Sequence, residues 1–154
     1  MSHPPEFRLI PVTSLVPHEQ IDPDDVERLS AEIRRLGMVQ EPIWVSRDGI
    51  ILNGHHRYAA LRKLGVHSVP AWVIDYPDPA MELHRWGPGA PPSKEEVVAH
   101  ARAGGLFPPK TTRHIWRGPP PDPHPTMLAE LQRDAPDNGS RPGPREPDRS
   151  EGPR

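Results

Sequence analysis

The sequence contains no cysteine, which excludes disulfides, cysteine-ligated zinc and thiol catalysis. Aromatic residues are sparse, with four tryptophans, two tyrosines and two phenylalanines among 154 residues. No apolar run approaches the roughly 20 residues that span a bilayer, and the N-terminus lacks the apolar core of a signal peptide. The expectation is a cytoplasmic protein without a membrane partner. A basic excess is missing too. Formal net charge is −2, and residues 1–116 and 117–154 each contribute −1. Dedicated nucleic-acid binders carry a cationic surplus. Proline, in contrast, is abundant at 24 residues, ten of them after Arg117. That stretch offers only two leucines and one methionine as sizeable apolar side chains, too few to offset the entropy of ordering it. The expected organisation is a working domain over residues 6–116 and a disordered Pro/Gly/Arg/Asp-rich tail over 117–154, without internal repeats.

The order of elements predicts a small α+β domain. Arg8 to Val12 reads as an edge strand, where Pro11 is tolerated. A helix follows with clear boundaries. Asp22 can cap it, Pro23 suits its first turn, and Asp24 and Asp25 favour its positive end. Val26, Leu29, Ile33 and Leu36 recur at helical spacing, and Gly37 stops the helix. Pro42 to Ser46 and Ile50 to Leu52 read as a hairpin around Asp48-Gly49. A second helix begins at Asn53-Gly54-His55-His56-Arg57 and closes at Gly65. A strand from Val69 to Ile74 follows, then a further one from Met81 to Trp86. Ser93 and Glu96 form a capping box for a third helix through about Ala103. Gly104 to Pro109 is a loop leading into Lys110-Thr111-Thr112-Arg113-His114-Ile115-Trp116.

Asn53 to Tyr58 is the most informative segment. A helix start carries unpaired N–H groups and partial positive charge, which together make an anion site. Gly54 permits close approach of a ligand to the backbone. His55, His56 and Arg57 are expected to add side-chain donors there, and arginine matches phosphate or carboxylate with two parallel bonds. The residues alone leave open a plain cationic helix start. Glu19 stands in a loop, and periodicity by itself does not select it over Glu27 or Glu32. The cations, hydroxyls and imidazole of residues 110–114 suit a carboxylate or phosphate, or equally a polar strand. Trp86 fits a pocket wall or core packing. Nine histidines are present, but no spacing typical of a zinc site is found.

Asn53-Gly54-His55-His56-Arg57-Tyr58-Ala59-Ala60-Leu61, after a hairpin and before Leu64-Gly65, resembles the ParB/sulfiredoxin-like fold. In that superfamily this turn binds nucleotide phosphates. Three further stretches resemble one branch, the free L-serine kinases: Pro17-His18-Glu19, Glu82-Leu83-His84-Arg85-Trp86 and Phe107-Pro108-Pro109-Lys110-Thr111-Thr112-Arg113-His114. The resemblance implies a kinase that converts L-serine to O-phospho-L-serine with ATP or ADP as donor and Mg²⁺ bridging the nucleotide phosphates. It implies Glu19 as general base. It implies Asn53, Gly54, His55, His56 and Arg57 as the phosphate-binding set. It implies Trp86, Thr112, Arg113 and His114 around serine, with Lys110 and Thr111 beside them. Two departures stand out. The kinases carry aspartate where this chain has Asn53, leaving Asn53 only a neutral ligand toward magnesium. They are also longer between the Trp86 region and the 107–114 stretch. Sulfiredoxin chemistry is excluded, because it needs a cysteine where this chain has His55. A ParB-like nucleotide-binding regulatory or partition protein is the alternative, together with a catalytically dead sensor. DNA binding would require a partner subunit, since Met127 to Leu131 can form at most a short helix.

Overall fold

A computed structural model of the chain describes residues 3–133. Its central sheet has four strands, in the order β1 (Glu6–Pro11), β5 (Ser68–Ile74), β3 (Ile43–Ser46) and β4 (Ile51–Asn53). β1 runs antiparallel to β5, and β5 runs parallel to β3. β4 folds back on β3 around Gly49, whose N–H donates to the Ser46 carbonyl at 2.9 Å. β1 lies at the sheet edge, as Pro11 predicts, but it starts at Glu6 and ends before Val12, which enters a 3₁₀ turn.

Alternation along the strands divides the interior into two layers. Ile43, Val45, Ile51, Val69, Ala71 and Val73 face one layer, packed with Val26, Ile33 and Leu61 of the helices. Ile50, Leu52 and Ile74 face the other layer with Tyr76, Met81, Val97 and Ala101. The first layer is covered by α1 (Pro23–Leu36) and α2 (His55–Lys63). α1 has the expected ends: the Asp22 carboxylate accepts the Asp24 N–H at 2.9 Å, and Gly37 adopts φ 70°. The second layer contains the antiparallel pair β6 (Met81–His84) and β7 (Arg113–Trp116), with α3 (Lys94–Arg102). The Ser93–Glu96 capping box of α3 is present in both directions.

The expected boundary at Arg117 is corrected. β8 (Thr126–Met127) pairs with β2 (Met38–Val39), and α4 (Leu128–Gln132) places Leu128 and Leu131 in the first core layer. These leucines need no core of their own, because they complete an existing one. Burying a leucine is worth about 1.5–3 kcal/mol. The segment also serves carbonyls that helix ends leave unpaired. The Leu128 N–H donates to Gly37 O at 2.9 Å, and Gln132 Nε2 donates to Leu64 O at 2.8 Å. Upstream, the His124 ring stacks on Phe7 at 3.5 Å, and the Trp116 indole donates to Pro119 O at 3.0 Å. Proline is suited to this path because it has no N–H to leave unsatisfied. The remainder of the expected tail, residues 134–154, lies outside the described residues.

Candidate active site

The β4–α2 turn, the loop before α1 and the start of β7 converge on a cleft of about 170 Å³. Glu19, Asn53, Gly54, His55 and His56 line one part, and Trp86, Lys110, Thr112, Arg113 and His114 the other.

α2 supplies one wall. α1 and α3 start with side-chain caps, but α2 starts on Gly54 with no side-chain cap and no acidic residue in its first turn. Its first N–H groups and its positive end are thus left to the cleft. Gly54 has φ 107°, and a Cβ there would lie 2.6 Å from Ile43 Cγ2. Packing on β3 therefore demands glycine before any ligand arrives.

The two histidines differ from expectation. His55 Nε2 accepts the His18 N–H at 3.1 Å, and His56 Nε2 accepts the Asp22 N–H at 3.0 Å. Both rings therefore tie α2 to the loop before α1, and in that arrangement neither Nε2 carries a proton for a phosphate. Burial, reinforced by His18, His114 and His56, holds His55 well below the usual histidine range. Arg57 is not brought to this cleft. Its guanidinium turns to Pro42 O at 3.2 Å, with Glu41 4.0 Å away, and lines a separate groove with Leu29, Met38 and Gln40. Burial lowers its pKa, against the opposing charge of Glu41. A sequence pattern places a residue on a helix turn but leaves the direction of a long side chain to its neighbours.

Glu19 is held from the opposite wall. Oε1 accepts the Lys110 N–H at 3.1 Å, and Oε2 accepts the Thr112 N–H at 2.7 Å together with the Thr112 hydroxyl. The backbone bridge between Glu19 and Phe107 brings the two segments side by side. Lys110 has φ 63°, the one non-glycine residue in the left-handed region among those described. A left-handed conformation at a non-glycine residue costs about 1–2 kcal/mol, here combined with an N–H aimed at a carboxylate.

Behind Glu19 lies a histidine cluster that the sequence places only by adjacency. His18 is fully buried. Its ring meets His55 edge-on with centroids 4.5 Å apart, and His114 at 5.9 Å. Its Nε2 lies 3.1 Å from Thr112 Oγ1. Burial lowers the His18 pKa, opposed by the Glu19 charge and the Ile51 backbone. His114 contacts the Tyr76 hydroxyl through Nε2 at 2.7 Å, and burial pushes it down to about 3. Burial raises the Tyr76 phenol. Nothing in the spacing of Tyr76 announced this contact.

The rim is cationic and aromatic. The Arg113 guanidinium sits 4.7 Å from the Trp86 ring centre, and Trp86 is 52% exposed. Trp86 thus lines the cleft and does not pack in the core. Thr111 is not brought to the cleft, since its hydroxyl donates to Pro108 O at 2.7 Å. Among the described residues no group of three or more His, Asp or Glu could hold a metal ion. No helix among them is long and apolar enough to cross a membrane.

Residues 5–84 match the model of the ParB N-terminal domain. The ATP-dependent L-serine kinase of Staphylothermus marinus is 38% identical over 103 residues, covering 64% of this chain and 41% of that protein. The ADP-dependent L-serine kinase SerK of Thermococcus kodakarensis is 26% identical over 106 residues, covering 66% of this chain and 44% of that protein. The chain thus spans less than half the length of these relatives. A solved free serine kinase in complex with AMP superposes with a TM-score of 0.72 at 19% identity, covering 85% of this chain and 95% of the other. SbnI from Staphylococcus aureus, truncated at its C-terminus, gives 0.71 at 17% identity, covering 84% and 90%. The chain thus shares the α+β fold of these structures, and by its own sequence it belongs to the ParB N-terminal domain family.

Proposed function

We propose that this protein phosphorylates free L-serine, with Glu19 as the general base. The observation that carries this reading is the meeting of an uncapped helix N-terminus and a nearly buried carboxylate in one cleft. Phosphoryl transfer is mostly positioning and charge stabilisation. The N–H groups at the start of α2 bind the terminal phosphate, with Gly54 letting it approach. Arg113 and Lys110 supply positive charge opposite, and Arg113 suits the serine carboxylate. Trp86 and His114 wall the substrate. Glu19 accepts the hydroxyl proton as the new bond forms. The groove beyond Arg57, with apolar Leu29, Leu36 and Met38 and polar Gln40 and Glu41, receives the nucleoside end. Arg57 lines that groove and would supply positive charge to the phosphates there. The names of the relatives support both the substrate and the nucleotide.

Magnesium belongs to the nucleotide in this reading. The cleft offers it the neutral Asn53 side chain and no carboxylate cluster, so the phosphates would provide most ligands. Bound there it would neutralise phosphate charge.

A regulatory nucleotide-binding module is the second reading, favoured by Asn53 in place of a carboxylate. One assay separates them. Purified protein is incubated with Mg²⁺, L-serine and ATP or ADP, and O-phosphoserine is followed by phosphorus NMR. Product from wild type and its loss in Glu19→Gln support the kinase, and the productive nucleotide identifies the donor. Nucleotide binding without product from either donor supports the regulatory module.

A further inference from the structure

A base needs an oxygen with a free lone pair facing its substrate. Each carboxylate oxygen has two in-plane lone pairs. Glu19 Oε2 accepts both the amide and the hydroxyl of Thr112, whereas Oε1 accepts the Lys110 amide alone. The unoccupied in-plane lone pair therefore belongs to Oε1.

The direction of the Thr112 hydroxyl is set from behind. A carboxylate base only accepts, so the proton in the contact between Thr112 Oγ1 and Glu19 Oε2 is the hydroxyl's, and the His18 ring can meet Thr112 Oγ1 only as a donor, while burial favours the neutral ring. The single ring proton then sits on Nε2 and donates to Thr112 Oγ1, 3.1 Å away. The hydroxyl proton of Thr112 is left to point at Glu19. The chain reads His18 Nε2–H to Thr112 Oγ1, then Thr112 O–H to Glu19 Oε2.

Resting on the kinase reading, we infer that Thr112 and His18 are positioning residues for the base: together they saturate Glu19 Oε2 and present Oε1 to the serine hydroxyl. The family resemblance would give Thr112 to serine or phosphoserine, but the geometry gives both of its donors to Glu19. In the transfer, the serine hydroxyl proton passes to Oε1 as the bond from serine Oγ to phosphorus forms. The bond from phosphorus to the bridging oxygen of the nucleotide breaks, and its electron pair leaves with the nucleotide. Thr112 remains on Oε2 throughout, so its effect falls on the chemical step and not on serine binding.

The test combines kinetics of the full chain with NMR. Thr112→Val keeps the amide and removes the hydroxyl, so kcat is expected to fall about tenfold or more with the serine KM within about twofold. Thr112→Ser is expected to restore most of kcat. Long-range proton–nitrogen NMR of wild type is expected to show the His18 proton on Nε2. A raised serine KM at unchanged kcat in Thr112→Val, failure of Thr112→Ser to restore kcat, or a proton on Nδ1 overturns the positioning role while leaving the kinase reading intact. Absence of phosphoserine from wild type with both ATP and ADP removes the kinase reading itself, and the catalytic role with it.

Discussion

The β4–α2 turn and the segment from Phe107 to His114 face each other across the cleft, and different forces hold them. Each contains a left-handed residue. Gly54 is pressed against Ile43, so apolar packing fixes its backbone and leaves the helix N–H groups open. Lys110 has a side chain in that conformation, and its N–H meets Glu19. One wall is therefore shaped before the charged groups arrive. The other depends on the carboxylate it positions. The contrast teaches that strain and the proposed base share an address on the second wall, whereas the first wall holds its left-handed residue by packing alone.

The strongest way to separate the two walls is Glu19→Gln. Turnover is expected to fall about 10²–10⁴-fold, the usual contribution of a general base. Nucleotide affinity, which the kinase reading places on α2, is expected to stay within about twofold. A comparable loss of nucleotide affinity in calorimetry would show that the walls are not independent.

Acid should weaken both walls together, because His18 and His55 stand on one side and His114 on the other. All three have depressed folded-state values, His114 down to about 3, chiefly through burial. Unfolded histidine titrates near 6.5. Below that pH the unfolded chain takes up protons that the folded chain refuses. The stability is thus present above about pH 6.5 and lost as pH falls, by up to about 1.4 kcal/mol per pH unit for each histidine. Urea midpoints at pH 7.5 and 5.0 measure this, and equal midpoints would contradict buried neutral rings.

Exchanging the left-handed residues sharpens the comparison further. Gly54→Ala forces a Cβ into Ile43 at a positive φ and is expected to cost about 2–4 kcal/mol. Lys110→Gly removes strain but loosens the unfolded chain, and the two nearly cancel to within about 1 kcal/mol. Thermal unfolding of both variants gives the ranking, and equal losses would refute it. The smallest effect is expected from Thr111→Val, whose hydroxyl serves Pro108 and not the cleft. It should cost about 1 kcal/mol of stability and leave kcat/KM within about twofold. A tenfold loss in kcat/KM would place Thr111 in the site after all.

The sequence was most legible where a rule acts over a few residues. Asp22 and Gly37 mark the ends of α1, Ser93 and Glu96 start α3, and Asp48-Gly49 turns the hairpin. The glycine-led start of α2 was legible for the same reason. Less legible was anything decided by a distant partner. Residues 126–132 look too poor in apolar groups to fold, yet the space beside β2 and β5 was waiting for Leu128 and Leu131. His18 sits beside Glu19 in the chain, but only the fold brings Thr112 to both of them.

What the sequence determined by itself was the order of helices and strands, the glycine turn before α2 and the residue types available for phosphate and carboxylate chemistry. Caps, turns and periodic stripes are local, so adjacent residues suffice to specify them. The tertiary structure alone decided that Arg57 turns to Pro42, that His55 and His56 accept backbone N–H groups, and that Thr112 closes on Glu19. Each of those outcomes depends on which donor or acceptor lies within about 3 Å after residues far apart in sequence have packed, and a one-dimensional pattern does not contain that distance.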